Sequence, residues 1–180
     1  MTIAVNTHFQ IEQEDIPMKY IAYGSNMSVE QMETRCPDAR LIGTGHIEGA
    51  RLEFYVHATV ERSQIKGGRS SAPIRSTAPA RVPVAVWEIS KRDEQRLDRY
   101  EGVPVYYVKE EWPVTMADGT VITGMIYRML AKRPGAPTAD YYNGIRAAYE
   151  DLGLGSEIRT VLEPALDRAL AARAYRFRRG

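Results

Sequence analysis

Short apolar stretches alternate along the chain with breaks marked by Gly, Pro and Ser. The run from Met18 to Tyr23 is apolar and aromatic and predicts a buried strand. Gly24-Ser25-Asn26 breaks it. Ser28 with Gln31 fits a capping box and opens a short helix to Arg35, which Pro37 ends. Residues 50–60 alternate as one strand, and residues 61–81, rich in Arg, Ser, Gly and Pro, read as a long loop. Val82 to Ile89 predicts a buried strand, with Pro83 near its edge or start. Ser90 is an N-cap with Asp93 three residues on, so a helix runs from Lys91 to Glu101, and Gly102 fits its C′ position. Strands follow at 105–115 and 120–130 around a turn at 117–119. Two helices, 139–152 and 156–174, are separated by Gly153 and Gly155. No regular strand–helix–strand repeat is present, which predicts a mixed α+β fold.

This order sets the boundaries of an N-terminal extension over 1–17, a domain over 18–175 and a basic tail over 176–180. The extension includes a stretch of some strand propensity, Thr2 to Val5. Composition narrows the function classes. With 24 Lys and Arg against 23 Asp and Glu, the net charge is +1, which argues against a nucleic-acid binder. No apolar run approaches the roughly 18–20 residues of a membrane span. The first residues lack the pattern of a secretory leader, and the single cysteine, Cys36, forms no intramolecular disulfide, so the expected compartment is the cytoplasm. His8, His46 and His57 have no metal-ligand spacing among themselves.

Three groups of residues can carry chemistry. Tyr23, Gly24, Ser25, Asn26 and Met27 form a strand-to-helix turn. Such a turn presents backbone N–H groups to an anion, or is simply a capped connection. Glu101 ends a helix where the dipole disfavours an anion. If partly desolvated there, its pKa rises and it becomes a proton shuttle; if exposed, it is a surface residue of a frayed turn. Tyr106, Tyr107, Tyr141 and Tyr142 either line a polar pocket or pack in the core.

The order of these pieces resembles the γ-glutamylcyclotransferase family with its AIG2-like relatives, over roughly residues 18–155. The resemblance rests on YGSNM (Tyr23 to Met27), Arg35 with Pro37 to Ala39, and Gly49 to Phe54. It continues through Ala72 to Ile74, Val84 to Ile89, LDRYEGVP (Leu97 to Pro104) and Pro137 to Tyr141. The chain departs from the family in Pro73, in the 61–81 loop, in its N-terminal extension and in a slightly shorter stretch from Glu101 to Tyr107. The resemblance implies a small closed mixed β-barrel flanked by helices, with a pocket at one mouth. It implies an intramolecular reaction in which a γ-glutamyl α-amine attacks its own γ-carbonyl, releasing 5-oxoproline and an amine, with no cofactor or metal needed. Glu101 is then the catalytic acid–base, the Tyr23–Met27 turn binds the oxyanion or the α-carboxylate, and Tyr107 and Tyr141 bond the substrate. The implied partner is a small γ-glutamyl substrate, not nucleic acid or membrane. Two alternatives stand beside this one. The substrate is a γ-glutamylamine or a γ-glutamyl-protected metabolite, or the protein is a non-catalytic binding module.

Overall fold

The computed structural model describes residues 17–63, 80–131 and 133–177. Most of the extension, the stretch of the resemblance around Pro73, most of the 61–81 loop, and the end of the tail lie outside the described residues. Among the described residues, seven strands and four α-helices follow one another: β1 (Met18–Ala22), α1 (Val29–Arg35), β2 (Arg40–Glu48), β3 (Ala50–Tyr55), β4 (His57–Arg62), β5 (Arg81–Ile89), α2 (Lys91–Glu101), β6 (Tyr107–Met116), β7 (Val121–Met129), α3 (Ala139–Asp151) and α4 (Glu163–Phe177). A 3₁₀ turn, Ser25–Met27, lies between β1 and α1.

Five strands close into a barrel in the order β1-β5-β2-β6-β7. All neighbours pair antiparallel except β1 and β7, which meet in parallel at Tyr20 and Met125 and so close a mixed barrel. Strand β5 is apolar along its length because it lies between two strands and is buried on both faces. Pro83 sits where β5 pairs with β2 at His46 but has not yet met β1, whose pairing begins at Ala85, so on the β1 side its missing N–H costs no ladder bond. Ile21, Val84, Val86, Leu97, Ile126 and Phe54 are among the side chains withdrawn from water in the core. Burying each stabilises the fold by about 1.5–3 kcal/mol before conformational entropy is counted.

The β3–β4 hairpin docks on the barrel through Thr59, whose Oγ1 accepts the Met129 N–H at 3.3 Å. Helix α4 packs on β3, where Arg168 donates to the Leu52 carbonyl at 2.6 Å and pairs with Glu53. Helix α3 lies against the 3₁₀ turn. Both expected caps form, with Ser28 Oγ accepting from Gln31 N–H at 3.3 Å and Ser90 Oγ from Asp93 N–H at 3.1 Å. Among the described residues, no helix is long and apolar enough to cross a membrane.

Four expectations about the elements need correction. Strand β2 was not expected; its two glycines and weak alternation hide it. The single strand at 50–60 is a hairpin turning at Val56, which holds φ 73°. A β-branched residue in that region gives no turn signal. It is held from outside, by its N–H donating to the Gly135 carbonyl at 2.8 Å. Strand β6 begins at Tyr107 rather than 105, because residues 102–106 form turns around the Val103–Pro104 cis peptide. The last helix begins at Glu163, after a 3₁₀ turn (Gly155–Glu157) and a π-helical turn (Ile158–Leu162).

Candidate active site

A cavity of about 390 Å³ opens where the end of α2, the 3₁₀ turn and the start of α3 meet over one end of the barrel. Its size is in the range of small-molecule sites. Glu101 lines it from the last residue of α2, followed by Gly102 at φ 69°. The left-handed glycine lets the chain leave the helix at once. A Cβ there would stand 2.6 Å from the Tyr106 ring, so the glycine also lets Tyr106 fold back beside Glu101.

The Glu101 carboxyl accepts from Asn26 Nδ2 at 3.1 Å. Burial raises its pKa from the ordinary 4.5 to about 7, against the opposing pull of the Arg35 guanidinium and of the Asn26 hydrogen bond. Asn26 is itself fixed on every side. Its Nδ2 also donates to the Tyr20 hydroxyl at 2.7 Å, its Oδ1 accepts from Arg35, and its carbonyl accepts the Trp87 indole N–H at 3.1 Å. The Arg35 bond sets which amide atom is oxygen, so Nδ2 faces the carboxyl. Arg35 also donates to Ser25 Oγ at 3.2 Å and to the Tyr100 hydroxyl at 2.5 Å, with its guanidinium 4.0 Å from the centre of the Tyr100 ring.

A second group faces the turn. The Tyr141 hydroxyl, on α3, accepts the Ala58 N–H at 3.2 Å and lines the cavity together with Ser25. Gly24 permits this approach, since a Cβ there would lie 3.2 Å from that hydroxyl. Tyr23 donates to the Tyr127 carbonyl, and the Tyr127 hydroxyl donates to Asp98 at 2.7 Å. Burial pushes the hydroxyls of Tyr20, Tyr23, Tyr107, Tyr127 and Tyr141 above the ordinary range, with Glu101's charge adding to each, so all are neutral near pH 7.

Tyr23, Gly24, Ser25, Asn26, Glu101, Tyr107 and Tyr141 thus line one cavity. Met27 does not; its side chain is wholly buried in the core and its N–H is bonded to the Gly24 carbonyl at 3.0 Å. Of the four tyrosines considered together, Tyr142 is also elsewhere, packed against Phe54. Sequence reasoning missed Tyr20, Tyr127 and Trp87, and it quoted Arg35 without giving it a place in the site. The strand period offered a signal for Tyr20, which lies on β1 close before the turn, whereas Tyr127 and Trp87 are ordinary strand aromatics until the barrel closes. His57 lines the cavity, edge-on to Tyr141, and His46 pairs with Glu157 at 2.6 Å on another face. Cys36 is buried and its thiol is pushed up to about 12, chiefly by burial. Among the described residues, no cluster of three or more His, Cys, Asp and Glu is arranged to hold a metal ion.

Comparison with known proteins agrees with this architecture. Residues 20–144 match the family described as "Gamma-glutamyl cyclotransferase, AIG2-like". The chain is 28% identical to the gamma-glutamylcyclotransferase of Mus musculus over 152 residues, which is 84% of this chain and 80% of that protein. It is also 28% identical to the Homo sapiens gamma-glutamylcyclotransferase over 145 residues, 80% of this chain and 76% of the relative. Among solved structures, one of a gamma-glutamyl cyclotransferase superposes with a TM-score of 0.67 at 25% identity, over 82% of this chain and 86% of the other. With a match that spans most of its length and a barrel that superposes on that of a namesake enzyme, the chain belongs to the gamma-glutamyl cyclotransferase, AIG2-like family.

Proposed function

We propose that this protein cyclises a γ-glutamyl group, releasing 5-oxoproline and an amine, with Glu101 as the acid–base. The observation that carries this reading is a half-buried carboxyl with a pKa of about 7 in a cavity walled by neutral hydroxyls. A general acid–base works best when its pKa lies near the operating pH. In the reaction, the bond from the γ-carbon to the substrate's α-nitrogen forms and the bond to the leaving nitrogen breaks. Two protons leave the α-ammonium on the way to the lactam N–H. One frees the lone pair and passes to solvent; the other moves through Glu101 to the leaving nitrogen. Asn26, locked by Arg35, Tyr20 and Trp87, holds the carboxyl in one position for both transfers.

The oxyanion of the tetrahedral intermediate needs preorganised donors. In our reading the Ala58 N–H acts on it through Tyr141, whose oxygen it holds and polarises. Tyr107 is a further neutral donor in the cavity. The mostly aromatic walls favour the folded, ring-closing shape of the glutamyl chain, so orientation supplies much of the rate gain. A second reading concerns the leaving group. The described lining holds Glu101 and His57 but no Lys or Arg, which favours an amine without its own carboxylate over an α-amino acid.

The test is turnover by mass spectrometry. Wild type and Glu101→Gln each meet γ-glutamyl amino acids, glutathione and γ-glutamyl-ε-lysine, with 5-oxoproline as readout. Wild type forms product, and the variant loses roughly 10²–10⁴-fold in turnover. Near-wild-type turnover in the variant removes Glu101 from the mechanism. No product from folded wild type overturns the reaction and leaves the binding module.

A further inference from the structure

Two tyrosines beside Glu101 are conspicuous for being exposed yet held. Tyr100 and Tyr106 both line the cavity, and they are 56% and 68% exposed. Large rings that stay in water normally keep their rotamer freedom, and ordering them costs free energy with no burial in return. Here each is fixed by contacts of its own. Tyr100, the residue before Glu101, is tethered by Arg35, which stacks 4.0 Å from its ring centre and donates to its hydroxyl at 2.5 Å. The Tyr106 ring lies over Gly102, close enough that a Cβ there would reach within 2.6 Å of it. Its backbone is pinned at both ends, the N–H to the Gly102 carbonyl at 3.0 Å and the carbonyl to the Leu130 N–H at 2.9 Å. The acid–base thus shares its cavity with two exposed rings that are held in place by contacts of their own. The inner part of the cavity is different. There Tyr20 and Asn26 are buried and tied to the carboxyl, and Tyr23 is buried with its hydroxyl donating to the Tyr127 carbonyl.

Resting on the cyclotransferase reading above, we propose that Tyr100 and Tyr106 form an aromatic clamp for the leaving-group side of the substrate. The preferred substrates are then γ-glutamyl amides of amines that carry a flat, apolar body a few bonds from the scissile nitrogen. The glutamyl part is small and polar and must reach Glu101 and the Gly24–Asn26 turn, so it takes the inner cavity. The amine, which departs, faces the exposed side of the cavity, where the Tyr100 and Tyr106 rings lie. Rings prefer offset or edge-on contact with such surfaces, and exposed tyrosines gain more from covering by a ring than by a short alkyl chain.

The experiment compares γ-glutamyl-phenethylamide with γ-glutamyl-ethylamide, two amides of similar reactivity that differ by the phenyl ring. In the wild type the ratio of kcat/KM favours the phenethylamide by about tenfold or more, the scale of one or two aromatic contacts. Tyr100→Ala and Tyr106→Ala each lower that ratio about three- to tenfold. Most of the change lies in KM, since the ring is far from the bonds that change. Both positions are exposed, and thermal unfolding of each variant confirms that it is folded. Equal kcat/KM for the two amides in the wild type overturns the clamp while leaving cyclisation standing. A ratio that survives both truncations also overturns it. If neither amide yields 5-oxoproline, nor any substrate of the wider screen, the cyclotransferase reading fails and the clamp falls with it.

Discussion

Replacing Glu101 with Gln separates what the site costs the fold from what it does. The carboxyl is raised from 4.5 to about 7 because burial outweighs both the Arg35 charge and the Asn26 hydrogen bond. At about 1.36 kcal/mol per tenfold change in proton affinity, holding it ionised costs the native state on the order of 3 kcal/mol. The sign follows from which state binds the proton. Below pH 4.5 both states are protonated and the cost is absent. Between 4.5 and about 7 the native state keeps a proton that the unfolded chain releases, so this group's contribution to stability falls as pH rises. Above about 7 the full cost is present. Gln has the same shape and still accepts from Asn26 Nδ2, but carries no charge. Glu101→Gln is therefore expected to be more stable than wild type at pH 8 by roughly 2–3 kcal/mol, or about 5–10 °C in Tm. The two proteins converge as pH falls toward 4.5. Thermal unfolding of both proteins from pH 4.5 to 8.5, with turnover followed in parallel, checks it. Equal melting temperatures at pH 8 refute the claim that burial dominates the carboxyl. An inactive variant that gains stability is the outcome expected of a site kept strained for function.

Three further outcomes are expected. Arg35→Gln removes the charge that holds the Glu101 carboxyl down, so the acid limb of the kcat/KM profile moves to higher pH, whereas a merely structural loss lowers activity at all pH values alike. Tyr141→Phe takes the acceptor from the Ala58 N–H and the donor proposed for the oxyanion; turnover falls about 10²-fold, and stability by roughly 1–3 kcal/mol in denaturant titration. Gly102→Ala forces a Cβ into a left-handed position against the Tyr106 ring and costs about 1–2 kcal/mol of stability, measured the same way.

The elements that sequence predicts well are those whose signals are local. Strand β1, helix α1 with its Ser28 cap and helix α2 between Ser90 and Gly102 each carry their start or stop within a few residues. Strand β2 and the Val56 turn carry none. The first is a strand because β5 and β6 flank it, and the second turns because Gly135, far along the chain, accepts its N–H. In both, tertiary pairing overrides a weak or contrary propensity. The π-helical turn before α4 is invisible for the same reason, since Ile158 and Leu162 read as continuous helix.

The site divides along the same line. Glu101 is legible because its chemistry is anomalous where it stands, an anion at the negative end of a helix directly before a left-handed glycine. The turn is legible because glycine and polar caps interrupt an apolar run. What sequence does not show is that one side chain, Asn26, joins them. Its partners lie at Tyr20, Arg35, Trp87 and Glu101, two of them more than sixty positions away. That separation has a chemical consequence. The carboxyl's orientation comes from the turn, its raised proton affinity from burial at the cavity, and its restraint from Arg35 on α1. These reach Glu101 through different contacts. A substitution at Arg35 removes the guanidinium's charge and one anchor of the Asn26 amide together, whereas one at Tyr20 leaves that charge in place and acts through the amide alone, whose hydrogen bond both aims the carboxyl and lowers its pKa.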